Sequence, residues 1–306
     1  MTVFIVGLRR SGTTAFWGMW RQDERFTCYN EPFNAQLSNV GDPTWPGARY
    51  TGREYDTLYR EDPALFWQRY APIPRHGELQ DDLSDRQAAY LAWLLSTGTP
   101  HACVDVTRCH FKLDGLRSVA PDAVLVHLYR PPANWVTSVV QPSTTHLKRL
   151  SDPWRRARHA ARLKIDGYRF RRRFWSATDA HRFKGFNELI GGHPGTLFGF
   201  RLAEAGLDPD EVYAAPDIGR LLAFWKIHYE RVEREGARLF GDRFVSVNFN
   251  DFCRGPDHVL DRVYEAAGLD RPPLDTSGIR SPPAPFAAGD PRWAAYADRL
   301  GLPDLA

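Results

Sequence analysis

Apolar residues fall into short β-branched runs separated by stretches with helical spacing. Val3-Phe4-Ile5-Val6 predicts a first strand, and Ala15-Phe16-Trp17 opens a helix that runs to about Arg21. Phe26-Thr27-Cys28-Tyr29 predicts a second strand, Ala102 to Val106 a third, Ala123 to Tyr129 a fourth and Arg243 to Val247 a last. The fourth is apolar enough to lie inside a parallel sheet. Between them, Ser84-Asp85-Arg86-Gln87 starts a helix that passes through Leu95 and stops near Gly98 and Pro100. Leu113 to Ala120 predicts a short helix, Pro131-Pro132 opens another, Asp217 to Arg238 carries apolar residues at helical spacing, and Asp257 to Gly268 closes the series. Strands alternating with helices predict an α/β fold of three layers, a central and mostly parallel sheet with helices on both faces. The expectation is a single domain over residues 1–306, with a helical and loop insertion at about 140–217 beside the cleft. Residues 34–100 are turn-rich and aromatic-rich, and Ile190-Gly191-Gly192-His193-Pro194-Gly195 is a loop without the strand and helix of a dinucleotide fingerprint.

Composition narrows the class. At 306 residues and 43% hydrophobic, the chain can bury a sizeable core. A net charge of +3 and a pI near 8.7 suit an anionic ligand without calling for nucleic acid. No apolar run approaches the roughly 18 residues that span a bilayer, and residue 2 already begins a strand, so neither a membrane span nor a signal peptide is expected. Cys28, Cys103, Cys109 and Cys253 show no CxxC spacing and read as reduced thiols; a cytoplasmic enzyme is the inference.

The chemistry starts in the turn between the first strand and helix, Gly7-Leu8-Arg9-Arg10-Ser11-Gly12-Thr13-Thr14. Backbone N–H groups and the positive end of a helix converge there on one point, where an anion is stabilised. Gly7-x4-Gly12 has the spacing of a Walker A loop, but Thr13 occupies the place of the essential lysine and the basic residue is Arg10. That argues against a nucleoside triphosphatase. It suits a phosphate held by backbone, hydroxyls and a guanidinium without a metal.

Arg10-Ser11-Gly12-Thr13-Thr14 after a first strand resembles the 5′-phosphosulfate loop of sulfotransferases that use 3′-phosphoadenosine-5′-phosphosulfate (PAPS). The family's second signature is an arginine at the end of a later strand, followed two helical turns on by a serine. Arg130 and Ser138 have those types and that spacing. The resemblance covers residues 2 to about 140 and resumes from about 218 to 268. It implies a P-loop-like fold, with PAPS as donor held by Arg9, Arg10, Ser11, Gly12, Thr13 and Thr14, and its 3′-phosphate by Arg130 and Ser138. It also implies a general base: Glu31, after the second strand, is similar in position to the glutamate base of some relatives, while His110 matches the neighbourhood of the histidine base of others. Many relatives carry a lysine after the third strand; Val106 stands there, and Arg108 or Lys112 would supply the missing cation, Arg108 being on the same side of an extended segment. Arg280 and Ser281, in the proline-stiffened segment 279–286, fall where relatives fold a loop over the nucleotide. Asn248-Phe249-Asn250-Asp251-Phe252 resembles the turn after the last strand in bacterial members.

The acceptor is a hydroxyl of unknown identity on a small molecule, glycan or lipid. A basic stretch from Arg155 to Arg173 predicts a helix that offers contact with an acidic acceptor or a membrane surface. No metal site is expected. Two other readings stand beside sulfotransfer: a P-loop small-molecule kinase, and a non-catalytic protein that binds a nucleotide or polyanion.

Overall fold

A computed structural model describes residues 1–42, 44–45, 53–140, 187–280 and 291–302, with 153–154, 157–158 and 161. The chain divides into two compact units, Met1–Arg130 with Ile227–Pro283 and Pro131–Lys226 with Ala284–Ala306.

The elements in chain order begin with β1 (Thr2–Val6), α1 (Thr13–Trp20) and β2 (Phe26–Asn30). A 3-10 turn at Ala35–Asn39 precedes α2 (Arg53–Glu61) and α3 (Pro63–Arg69), and another at Arg75–Leu79 precedes α4 (Asp85–Leu95). Then come β3 (His101–Asp105), α5 (Leu113–Val119), β4 (Val124–Tyr129) and α6 (Pro132–Val140). The second half holds α7 (Asn187–Ile190), α8 (Leu197–Glu204), α9 (Pro209–Ala214), α10 (Asp217–Phe240), β5 (Phe244–Asn248), α11 (Phe249–Arg254), α12 (Pro256–Ala266) and α13 (Pro291–Leu300).

In the first unit the five strands form one sheet in the order β2-β3-β1-β4-β5, and every neighbouring pair is parallel. Alternate residues of β1 feed two cores. Phe4 and Val6 pack with Tyr29, Val104, Leu125 and the inner side chains of α4, while Val3 and Ile5 pack with Phe16, Trp20 and Val126 and with Phe252, Leu260 and Val263 from α11 and α12. Helices on both faces of a buried parallel sheet are the three-layer α/β arrangement expected. Because β1 is central, its carboxyl end, where the glycine loop leaves, is flanked by the ends of β3 and β4.

Local chemistry explains the boundaries. Ser84 and Gln87 form a reciprocal capping box that starts α4. Gly268, at φ 65°, ends α12 with Gly268 N–H donating to the Glu265 carbonyl and Leu269 N–H to that of Tyr264, the paired bonds of a Schellman motif. Two of the helices that escape the periodicity reading carry local signals. α3 is announced by Asp62, whose side chain caps Leu65 N–H, and by Pro63 at the first position. α11 replaces the expected turn, with Asn248 accepting from Asn250 N–H.

The second unit holds α6 to α9, the beginning of α10, and α13. Phe198 and Trp135 pack against Phe224, with ring centroids 6.0 and 6.4 Å apart. No described helix is long and apolar enough to cross a membrane. Cys28, Cys103 and Cys109 are buried and free, and Cys253 is half-buried and free. Almost all of the basic stretch 155–173, and Ser281 with the rest of 281–286, lie outside the described residues; Arg280 is exposed.

Candidate active site

The loop after β1 is shaped by backbone that only certain residues adopt. A side chain at Gly7 would meet the Leu128 carbonyl oxygen at 2.2 Å, so β1 and β4 approach closely there only because residue 7 is glycine. Ser11 N–H donates to the Leu8 carbonyl at 2.9 Å, and Arg10 and Gly12 have φ of 77° and 99°, the left-handed region that a non-glycine residue adopts at a cost. Gly12 caps α1 without a side chain, its carbonyl accepting from Ala15 and Phe16 N–H. The loop thus directs a helix amino terminus at its centre with no side-chain cap claiming the first donors. Ser11 and Thr13 are buried, whereas Arg10 and Thr14 face outward.

Phe249, the first residue of α11, ties this loop to the end of β4. A Cβ at Gly12 would lie 2.2 Å from the Phe249 ring, and the guanidinium of Arg130 lies 4.3 Å from the centroid of the same ring. Burial lowers the Arg130 pKa to about 10; the Cys253 thiol opposes that shift and the positive charge of Arg10 adds to it. The loop and the β4 arginine are thereby joined into one electropositive corner. Ser138 is half-buried late in α6 and belongs to the other unit.

Across β1, the ends of β2 and β3 bring carboxylates to the same edge of the sheet. Glu31 follows β2 with φ 46°, its amide donating to the Asp105 carbonyl at 3.0 Å. Its Oε2 accepts from Asn34 Nδ2 at 2.9 Å and lies 3.8 Å from Arg108 Nη2. Arg108, buried, binds Glu78 directly through Nη1, and Arg9 Nη2 donates to the other oxygen of Glu78 at 2.8 Å. Burial raises the Glu78 pKa while Arg9 and Arg108 pull it back, and burial lowers that of Arg9 while Glu78 opposes the shift. Of the two cations the sequence offers for the place of the relatives' lysine, Arg108, the one favoured by its position two residues after Val106, lies beside Glu31. Lys112 Nζ donates to the Gln80 carbonyl at 2.5 Å.

Asp105, the last residue of β3, is fully buried. Burial, then the charge of Glu31, pushes its carboxyl up to about 7, against hydrogen bonds from Thr107 and from Thr13 of the loop. Thr107 Oγ1 lies 2.5 Å from Asp105 Oδ1. His110, by contrast, is buried against His228 with ring centroids 4.8 Å apart; burial, then His228, drives its pKa well below the usual imidazole value. It is held neutral.

Glu78, Asp105 and Phe249 were not foreseen as site residues. Asp105 had a signal, a carboxylate ending the otherwise apolar Ala102-Cys103-Val104. Glu78 sits in a turn-rich segment without periodicity, and Phe249 lies in a segment whose only reading is its resemblance to the turn after the last strand in relatives.

The sulfotransferase family model matches residues 2–185, well over half of the chain. Among solved structures, the sulfotransferase STF9 from Mycobacterium avium is 17% identical at a TM-score of 0.43, over 88% of this chain and 64% of that one. The sulfotransferase domain of the Synechococcus PCC 7002 olefin synthase is 14% identical at a TM-score of 0.46, over 100% of this chain and 89% of that one. The chain thus spans a little under two thirds of the length of the M. avium protein. No protein of curated function matches it by sequence. By the family match over residues 2–185, the chain belongs to the sulfotransferase family.

Proposed function

We propose that this protein transfers a sulfuryl group from PAPS to an acceptor hydroxyl. One observation carries the reading: the lysine-free phosphate loop is flanked on the β4 side by Arg130, held on Phe249, and on the β3 side by Glu31 with Arg108 at 3.8 Å. The donor set fits such a ligand, since an uncapped helix start, hydroxyls and guanidinium groups suit phosphate oxygens. The space a side chain at Gly12 would need is taken by the Phe249 ring, so glycine at this position lets α11 pack against the loop and carry Arg130 beside it.

PAPS would supply an activated sulfuryl group on a phosphate leaving group. Arg10, Ser11, Gly12, Thr13 and Thr14, with Arg9 beside them, hold the 5′ end, and Arg130 takes the 3′-phosphate; the family motif adds Ser138. Glu31, oriented by Asn34, removes the proton of the acceptor hydroxyl as that oxygen bonds to sulfur. Arg108 stabilises negative charge at the reacting end, the part the relatives' lysine plays where this chain has Val106. His110, buried against His228 with its pKa well lowered by burial, remains the alternative base of the family resemblance.

Calorimetric titration with 3′-phosphoadenosine 5′-phosphate (PAP), against AMP and ATP, tests the reading. Micromolar PAP binding with much weaker AMP binding is expected. Equal affinity for PAP and AMP would overturn it.

A further inference from the structure

Two arginines of the first unit share one carboxylate in an arrangement that the proposed reaction does not by itself require. Glu78, in the 3-10 turn Arg75–Leu79, is only 7% exposed and binds both Arg9 of the phosphate loop and Arg108 beyond β3. These partners lie 69 and 30 residues away in sequence. A buried ion pair gains little stability over apolar packing, so its position is the more informative property.

We propose that Glu78 is a positioning residue that sets both the charge and the aim of the two arginines; this rests on the sulfotransfer reading. The guanidinium is a rigid fork. With Nη1 of Arg108 on Glu78, Nη2 is directed toward Glu31, at 3.8 Å. Glu78 thereby takes the tighter of the two ion pairs that Arg108 makes and leaves it a looser one, at 3.8 Å, with Glu31. It also offsets the repulsion between Arg9 and Arg108, whose like charges otherwise oppose each other, with Arg75 adding to it. The cluster of Arg9, Arg108, Glu78 and Glu31 balances in charge, and is left with one surplus positive charge without the Glu78 carboxylate. Val106, buried and apolar, explains the need: a guanidinium two residues further on takes over from a lysine, and two guanidinium groups in one place require a shared counter-ion.

The consequence has opposite signs in the free and bound protein. Without the Glu78 charge, Glu31 alone faces both arginines, and the free protein, with one surplus positive charge there, is less stable. A bound anion supplies the missing charge, so affinity rises. A residue that merely supports the fold would lower both.

The test is Glu78→Gln and Glu78→Asp, read by melting temperature and by PAP titration. We expect Glu78→Gln to melt lower than wild type yet bind PAP about tenfold tighter, the low end of one charge-assisted hydrogen bond. Glu78→Asp, which keeps the charge, returns both toward wild type. A folded Glu78→Gln protein that binds PAP as weakly as wild type, or more weakly, overturns the proposal. If wild type ignores PAP, the sulfotransfer reading falls and inorganic sulfate becomes the probe: a larger melting shift in Glu78→Gln than in wild type supports the charge role, and an equal shift overturns it. If Glu78→Gln does not fold, adding Arg108→Gln restores folding where surplus charge is the cause; failure to restore it also overturns the proposal.

Discussion

The guanidinium of Arg130 lies 4.3 Å from the centroid of the Phe249 ring, and the same ring fills the space a side chain at Gly12 would need. One aromatic residue thus sets the distance between the phosphate loop and the arginine assigned to the 3′-phosphate. Arg130→Ala removes a charged donor and should weaken PAP binding by about 10- to 100-fold while leaving AMP binding nearly unchanged. Phe249→Leu leaves the charge but loosens its seat, so a smaller loss of PAP affinity is expected, with a lower melting temperature. Parallel PAP and AMP titrations of both variants check this; an equal loss for both nucleotides in Arg130→Ala would remove that residue from the 3′-phosphate.

Glu31→Gln keeps the side-chain shape and a carbonyl oxygen able to accept from Asn34 Nδ2, so folding and PAP affinity should stay close to wild type. Turnover, once an acceptor screen has supplied a substrate, should fall by about 10²- to 10⁴-fold, the usual worth of a general base. Wild-type rates in this variant would transfer the role elsewhere, and His110→Asn would be the next variant to assay.

Gly12→Ala should do more damage than its single methyl implies. Residue 12 has φ 99°, a conformation an L side chain rarely adopts, and the added carbon would sit 2.2 Å from Phe249. Strain and displacement of the ring together should cost roughly 2–4 kcal/mol and weaken nucleotide binding by disturbing Arg130. Thermal unfolding and PAP titration of the variant measure the two effects separately. A melting temperature within a degree of wild type would show that the loop relaxes without strain.

Much of this was legible because local rules and the global fold agree. The β-branched runs, the Ser84–Gln87 capping box and proline at the start of α6 place the sheet and its helices, and the glycine spacing places the phosphate loop where β1 ends. Arg10 and Glu31 stand out because each follows a strand at the ligand-binding edge of an open parallel sheet, whereas Arg130 is chosen by its resemblance to the family's second signature. What was not legible depends on pairing across long separations. Nothing near Glu78 in the sequence indicates that its carboxylate meets residues 9 and 108, and nothing near Phe249 indicates that it packs on residue 12. His110 has the right sequence neighbourhood for a base, yet burial against His228 gives it a different setting.

Asp105 gives the fold a pH dependence that can be assigned to one residue. Its carboxyl is raised from 3.8 to about 7, chiefly by burial and then by Glu31, so the native state holds this proton more tightly than the unfolded chain. Stability from this group is fully present below about pH 4 and is lost as pH rises toward 7 and above, because the unfolded state then gives up the proton freely while the native state must ionise a buried acid. A rise of that size corresponds to up to ~4 kcal/mol, and the Glu78 carboxyl, also raised by burial, adds a change of the same sign. Asp105→Asn retains an acceptor for the Thr107 hydroxyl and removes the ionisation. Its stability should therefore fall less between pH 5 and pH 8 than that of wild type, leaving the variant relatively more stable at the alkaline end. Denaturant unfolding of both proteins across that range checks the assignment. Parallel curves would show that Asp105 is already ionised at neutral pH, its charge held by Thr13 and Thr107 instead of being suppressed by burial.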